Sequence, residues 1–463
     1  MSPWTLPFVV LGLAGQPAAA TLPETAAPEA VVFDTGPVET MTLAEAEAAL
    51  VAANPDLASA SAAIDDAQAV VLQSFVAIKP MVSMSTSYTR NNADASLDLS
   101  QALAGLAQSL EQATMMPVDL GDTGGETVIQ PLQSLSATGQ ISVPVFAASA
   151  YADIKAARAS ARSAAASRDA TLARLHGGLH QTAWLAAAAQ ALVEVSEHAV
   201  DNAADHVRRT KRMVELGTTT QLSLDQAQLQ WLGRRSDLLT ARAELARMQL
   251  SIGVMLGRPA AIRIVLPDSP PPDELAPSEQ MVGEALAGRP ELVALQADER
   301  AARFRLRSAK MAYAPTLSAT FSASTSTAPY VTGLYYSWQA GLSLKWTLYA
   351  GGSRKGSRRR AEAALRRAAA QTRKRELEVR QEVLDAQREL RLAQARVRLA
   401  EQESAVANRA AQSAGQNFEL GRATSTEVVD ALDSAFQAEI QREEARARAA
   451  AAQSQLRTAR GSM

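Results

Sequence analysis

Three groups of residues have types and spacings that could do chemistry. His176 and His180 stand four apart, which on a helix sets two imidazoles on one face, the spacing of a metal pair. No carboxylate adjoins them and Gly177 and Gly178 lie between, so the competing reading is two solvated histidines, as for His198 and His206. Glu427 and Asp430 stand three apart, again on one helical face. Carboxylates so close repel one another, raise one another's pKa and attract cations. Glu427 has a second reading, because Thr424-Ser425-Thr426-Glu427 fits a capping box in which the carboxylate serves only the helix start. The third group is the basic run SRKGSRRR at 353–360. It lacks the interleaved aromatics of a nucleic-acid surface. That leaves a solvated helix start or attraction to anionic headgroups. None of the three is a catalytic constellation. The chain is read as a non-enzyme, with no metal site, no cofactor and no nucleic-acid partner.

The elements that position these groups begin with composition. The 463 residues suffice for two or three ordinary domains, yet aromatics are only 4% and alanine supplies much of the 47% hydrophobic fraction. Alanine-rich, charge-laced sequence favours long helices in shallow contact. A net charge of −2 gives no global pull toward nucleic acid. The absence of cysteine excludes disulfides, thiolate metal sites and a lipid-modified terminal Cys. LPFVVLGLAG (6–15) followed by QPAAA reads as an export signal over residues 1–20, too short to span a bilayer, with a flexible leader over 21–40.

The chain is duplicated. Pro55 pairs with Pro290 and Pro80 with Pro315, both about 235 apart (290−55 and 315−80), while Gly217 pairs with Gly421, about 204 apart. The smaller offset places an insertion of about 30 residues in the first half, within 91–134. The layout is a first repeat over 41–256, a Pro-rich linker over 257–282 and a second repeat over 283–463. Each repeat reads as a helix, two strands and a long helical hairpin. Leu99, Leu103, Leu106 and Leu110 suggest a short amphipathic helix in the insertion.

The strands alternate with period two. Tyr336, Trp338, Ala340, Leu342, Leu344, Trp346 and Leu348 alternate with Ser337, Gln339, Gly341, Ser343, Lys345 and Thr347. Leu317 to Ala323 does the same, as do Val82 to Tyr88 and Leu135 to Val145 in the first half. One face is apolar and the other small and polar, over lengths that cross a bilayer. Tyr330, Tyr335, Tyr336 and Trp338 gather at one end of the second pair and Trp346 and Tyr349 mark the other, an interfacial girdle. A sandwich hairpin competes, but leaves the Ser/Thr face unexplained. Four strands cannot close a barrel, and an open edge in lipid strands backbone groups. The chain must therefore oligomerise, and three copies give twelve strands.

Heptads fill the rest. Leu179, Ala186, Val193, Val200, Val207 and Val214 recur every seven residues, as do Val383, Leu390 and Val397. A helix over about 148–216 would be about 100 Å long. Gly217 and Gly421 end two such helices in the left-handed conformation, with Thr and Ser capping the helices that return. The second tip has Glu427 and Asp430 where the first has the neutral Ser223 and Gln226.

The duplicated layout, Pro80 and Pro315 before strands, the junction WTLYAGGSRKGSRRRAEA (346–363) and the two glycine tips together resemble the TolC-type outer membrane efflux proteins, over residues 40–460. The resemblance implies an α+β membrane protein. Four transmembrane strands per chain would join a trimeric twelve-strand barrel in the outer membrane of a Gram-negative bacterium, above a periplasmic tube of antiparallel coiled-coil hairpins. It implies the exit duct of a tripartite efflux pump or type I secretion system. The partners would be a homotrimer, outer membrane lipid, a periplasmic adaptor and an inner membrane transporter of RND or ABC type. The insertion would be extracellular and the linker equatorial. Leu216, Gly217 and Thr218, with Leu420, Gly421 and Arg422, would meet the adaptor. Glu427 and Asp430 correspond to acidic positions ringing the closed periplasmic entrance, six carboxylates per trimer. Ala423 stands where the family has a tip arginine. The alternative is an exported coiled-coil structural or adhesin-like surface protein without transport activity.

Overall fold

The computed structural model describes residues 38–97, 99–116, 127–266, 276–328 and 334–461. The first repeat runs β1 (Glu39–Thr42), α1 (Leu43–Ala53), α2 (Pro55–Ser74), β2 (Met81–Arg90), β3 (Ala95–Leu97), α3 (Leu99–Thr114), β4 (Thr127–Gln130), β5 (Gln133–Phe146), α4 (Ala148–Glu215) and α5 (Gln221–Met255). The second runs β6 (Ile262–Val265), α6 (Ser278–Gly288), α7 (Pro290–Met311), β7 (Thr316–Ser326), β8 (Tyr336–Lys345), α8 (Ser353–Glu419) and α9 (Ser425–Arg460).

The repeats meet in one antiparallel sheet ordered β2-β5-β7-β8, in which β5 and β7 join across the halves. Beneath it α4 and α8, of 68 and 67 residues, extend about 100 Å each. The returning α5 and α9 are half as long, at 35 and 36 residues. The remaining length of each long helix is flanked by the short helices, α2 on α4 and α7 between α4 and α8. Pro55 and Pro290 open α2 and α7, where a missing N–H costs nothing.

An equatorial joint lies midway. β1 and β6 pair in parallel, against a core of Leu50, Leu179, Ile252, Leu256 and Ile262. Each returning helix ends on a left-handed glycine, Gly257 (φ 69°) and Gly461 (φ 72°). Asn54 Nδ2 donates to Met255 O at 2.7 Å, and Arg289 Nε donates to Ala459 O at 2.9 Å. The residue before α2 and the residue before α7 thus each satisfy an orphan carbonyl of the returning helix in their own repeat.

Four expectations need correction. The leader expected over 21–40 already contains the start of β1, and the linker expected over 257–282 contains β6 and the first turn of α6. Runs of four residues are too short to show a period, so composition alone marked both segments as irregular. Each repeat has two short helices rather than one, broken at Asn54 and Arg289 by the proline that follows. The heptad through Val200, Val207 and Val214 is only half-buried; below Val193 the buried stripe shifts to Ser196, Ala203, His206 and Thr210. A straight helix drifts about 20° per heptad, and here α4 also packs on α9 of the other hairpin.

The insertion forms α3 on the β3–β4 ladder, with Leu106 and Leu110 exposed; the side chains of Leu99 and Leu103 lie outside the described residues. The export segment 1–20, the leader to residue 37, linker residues 267–275 and Tyr330 also lie outside them. Among the described residues no helix is long and apolar enough to cross a membrane.

Candidate functional site

The register of the sheet separates two chemistries. On one face Val82, Ile141, Phe321 and Ala340 form a row, and Met84, Gly139, Ala323 and Trp338 the next. The Phe321 and Trp338 rings stack at 6.4 Å between centroids. On the other face the rows are hydroxylic, as in Ser85, Thr138, Ser324 and Ser337, with Ser324 Oγ 2.8 Å from Ser337 Oγ. Lys345 is the one charged residue on that face among the paired residues. Trp338 (68% exposed), Leu342 (75%) and Leu344 (66%) are left largely open, and among the described residues both edge strands, β2 and β8, lack an outer partner. Tyr335, Tyr336, Trp346 and Tyr349 are also exposed.

The two tips share one backbone design. Gly217 (φ 70°) and Gly421 (φ 67°) follow the last helical turns. Thr218 N donates to Met213 O at 2.9 Å and Gly217 N to Val214 O at 3.0 Å; Arg422 N donates to Asn417 O at 2.8 Å and Gly421 N to Phe418 O at 3.0 Å. These are paired Schellman closures. Thr220 and Thr424 then cap the returning helices. At the tips Leu216, Gly217, Leu420, Gly421 and Arg422 are exposed and Thr218 Oγ1 donates to Met213 O.

The side chains differ between tips. The capping box forms: Glu427 N donates to Thr424 Oγ1 at 3.3 Å, and Thr424 N to Glu427 Oε2 at 2.7 Å. Glu427 therefore serves the helix start. Asp430 is exposed on the same helix, and among the described residues no ion pair engages its carboxylate.

Sequence reasoning missed the contact between hairpins. His206 (5% exposed) places Nε2 3.2 Å from Ser425 Oγ and its ring 5.4 Å from that of Phe418. Burial, reinforced by Arg209, pushes its pKa down. Arg209 Nη1 donates to Glu419 Oε1 at 2.6 Å. Arg234 pairs with Asp433 and lies over the Phe436 ring at 4.1 Å, while Gln230 Nε2 donates to Asp433 Oδ1 at 2.9 Å. One signal could have found them: applying the offset of 204, His206, Arg234 and Asp433 stand opposite Ala410, Ala438 and Leu229. Polar departures from an otherwise duplicated chain mark where its halves meet unequally.

At the equator His180 Nε2 is 2.6 Å from Glu47 Oε1. His176 Nε2 is buried without a hydrogen-bond partner, and burial pushes its pKa down. Among the described residues no three donors converge on a point where a metal could sit. Across the groove Arg289 (side chain 6% exposed) binds Glu291 at 3.1 Å and Glu382, and Arg375 joins Glu382 at 2.7 Å.

No curated protein sequence matches the chain. Solved structures do, at low identity. CusC, described with the folding and formation of a transmembrane channel, is 17% identical, with a TM-score of 0.74 over 91% of this chain and 92% of that one. The outer membrane protein VceC of Vibrio cholerae is 18% identical, with a TM-score of 0.72 over 90% and 96%. The CmeC outer membrane channel of Campylobacter jejuni is 13% identical, with a TM-score of 0.74 over 91% and 85%. At such identities the likeness is one of fold. The family model described as outer membrane efflux protein matches residues 48–258 and 281–462, interrupted only across the proline-rich segment between the repeats. With both repeats matched, the chain belongs to the outer membrane efflux protein family.

Proposed function

We propose that three copies of this chain close a twelve-strand barrel and a helical tube, and that the assembly is the passive exit duct of an efflux pump or type I secretion system. The observation that carries this reading is the joint between the repeats. β5 pairs with β7 and α4 packs on α7, while among the described residues β8 and α2 are left without the corresponding partners. In the repeat β7 corresponds to β2, and β8 to β5. The same joint, made between chains, would set β8 of one protomer on β2 of the next and close the ring. Closure would put the apolar face against lipid and the hydroxylic face around water.

Membrane placement fixes the rest of the reading. α3 and its ladder would lie outside the cell. The tips, about 100 Å below, would meet a periplasmic adaptor and through it an inner membrane transporter of RND or ABC type. Six tip carboxylates would attract cations at the entrance, with Asp430 free to do so and Glu427 held by its cap. CusC, VceC and CmeC carry channel or outer membrane descriptions compatible with this role. Purified protein should run as a heat-modifiable trimer and conduct ions in planar bilayers. Monomers without conductance would overturn the proposal.

A further inference from the structure

The junction between β8 and α8 has a composition the duct does not require. Trp346 and Leu348 continue the apolar face of β8 beyond its last paired residue, and with Tyr349 they are 60%, 78% and 86% exposed. Gly351 and Gly352, at φ 56° and 85°, then turn the chain into α8. Residues 354–367 of that helix hold six arginines and one lysine against one carboxylate, Glu362. Two of the cations are engaged: Arg354 donates to Thr347 O and lies over the Tyr313 ring at 5.4 Å, and Arg358 pairs with Glu362 at 3.2 Å. Lys355, Arg359, Arg360, Arg366 and Arg367 are exposed, and no ion pair engages them among the described residues.

The buried side of α8 is marked by Thr372, Val379 and Val383. Residues advance 100° each on a helix, so the five free cations span the side turned away from that core. Five guanidinium and ammonium groups crowded on one face repel one another unless anions are near. Their height decides which anions. They begin within three turns of Trp346 and Leu348, whose exposed bodies continue the face the duct reading turns to lipid.

We infer that this face of α8 is a binding site for anionic phospholipid headgroups of the leaflet facing the helical tube. The inference rests on the outer membrane reading above. Trp346, Leu348 and Tyr349 sit among acyl chains and glycerol, and Lys355, Arg359, Arg360, Arg366 and Arg367 hold the phosphates one level below. Arginine suits the task because its planar fork binds two phosphate oxygens at once. The site fastens the tube to the bilayer where a rigid helix meets a fluid surface.

The test uses the detergent-purified assembly and three probes: phosphatidylglycerol, phosphatidylcholine and inorganic phosphate. Thermal midpoints are recorded against each for the wild type and for a variant with Lys355, Arg359, Arg360, Arg366 and Arg367 all changed to Gln. Phosphatidylglycerol should raise the wild-type midpoint, saturably and less at high salt, and the other two should not. The variant should need at least tenfold more phosphatidylglycerol for the same shift. Equal responses to the two lipids, an equal response to inorganic phosphate, or a variant that responds like the wild type would each overturn the site. If that variant does not assemble, the Arg366→Gln/Arg367→Gln pair decides: a weakened phosphatidylglycerol response with normal assembly supports the site, and a wild-type response or failed assembly overturns it. Single-channel conductance of the same samples separates the two readings: a lipid response without conductance sinks the duct and spares the site.

Discussion

His206 of α4 and Ser425, the first residue of α9, meet across the two hairpins, with Nε2 3.2 Å from Oγ. The Phe418 ring lies against the imidazole, and the charged and titratable side chains lining the same cavity are His198, Asp205 and Arg209 on α4, Arg234 on α5, Glu419 on α8 and Glu439 on α9. Burial keeps the imidazole neutral where a free histidine would take a proton near pH 6.5. Its folded pKa is depressed, so below about pH 6.5 the separated hairpins bind a proton that the joined ones refuse. Acid on the tip side should loosen the joint and raise conductance in planar bilayers. His206→Gln, which can still reach Ser425 but does not titrate, should flatten that response between pH 7.5 and 5.

A second tie joins Arg234 to Asp433, again between hairpins. The arginine side chain is 12% exposed and the aspartate 45%, so solvent screens the pair and its loss should cost only about 1 kcal/mol. Asp433→Ala should raise the basal conductance, because the arginine then keeps only Asp237 of its own helix, at 2.8 Å, and its ionic tie to the other hairpin is gone. An unchanged conductance would place the resting closure elsewhere.

The acidic pair at the second tip should divide by role. Glu427→Gln keeps the capping geometry and should leave stability unaltered, whereas Glu427→Ala should lower it, and Thr424→Ala, at the N-cap itself, should cost about 0.5–2 kcal/mol. Asp430→Ala should weaken cation preference and block by multivalent cations, and Asp201→Ala, farther up α4, should change neither. Reversal potentials in asymmetric salt measure both.

Glycines of equal φ should respond unequally. A Cβ on Gly421 meets nothing within 4 Å, so Gly421→Ala bears only the strain of positive φ, about 1–2 kcal/mol. A Cβ on Gly257 would lie 2.5 Å from Ala53 O, so Gly257→Ala adds a backbone clash at the equator. Thermal unfolding should show the larger loss for Gly257→Ala. Gly421→Val should insert normally and lose efflux.

Ring closure can be read by cross-linking, since the chain has no cysteine of its own. Ile141 pairs with Val82 and Leu344 with Leu317, which lies 235 beyond Val82 (317−82 = 235), so Leu344 corresponds to Ile141 (344−141 = 203), and Phe321 corresponds to Thr86 (321−86 = 235). The Ile141–Phe321 pairing within the chain becomes Leu344 opposite Thr86 between chains. Cross-strand neighbours lie close enough for a disulfide. Thr86→Cys with Leu344→Cys should yield covalent dimers and trimers on denaturing gels, and neither single variant should.

Much of this architecture is legible in the sequence because it is repeated or periodic. The alternation from Tyr336 to Leu348 shows a two-faced strand, and Gly217 and Gly421 show where long helices stop. What stays hidden is short or tertiary. β1 and β6 have four residues each and pair across more than 200 positions. His206 stands one residue before Val207 of a regular heptad, and only the drift of α4 brings the histidine inward. Glu427 had two roles open to it from sequence, and its hydrogen bonds to Thr424 favour the cap.

The hydroxylic face of the sheet has a consequence for traffic through the proposed duct. Ser and Thr offer a donor and an acceptor at nearly every second position, so a solute leaving part of its hydration shell finds replacements of either polarity. Lys345 is the one fixed charge among those paired rows, at the end of β8, so along the hydroxylic rows beyond it the wall neither traps a passing ion nor rejects it by sign. The free-energy profile along such a wall is nearly flat. Flux there follows the concentration gradient and the bore, and discrimination among cargoes has to be made before a molecule arrives.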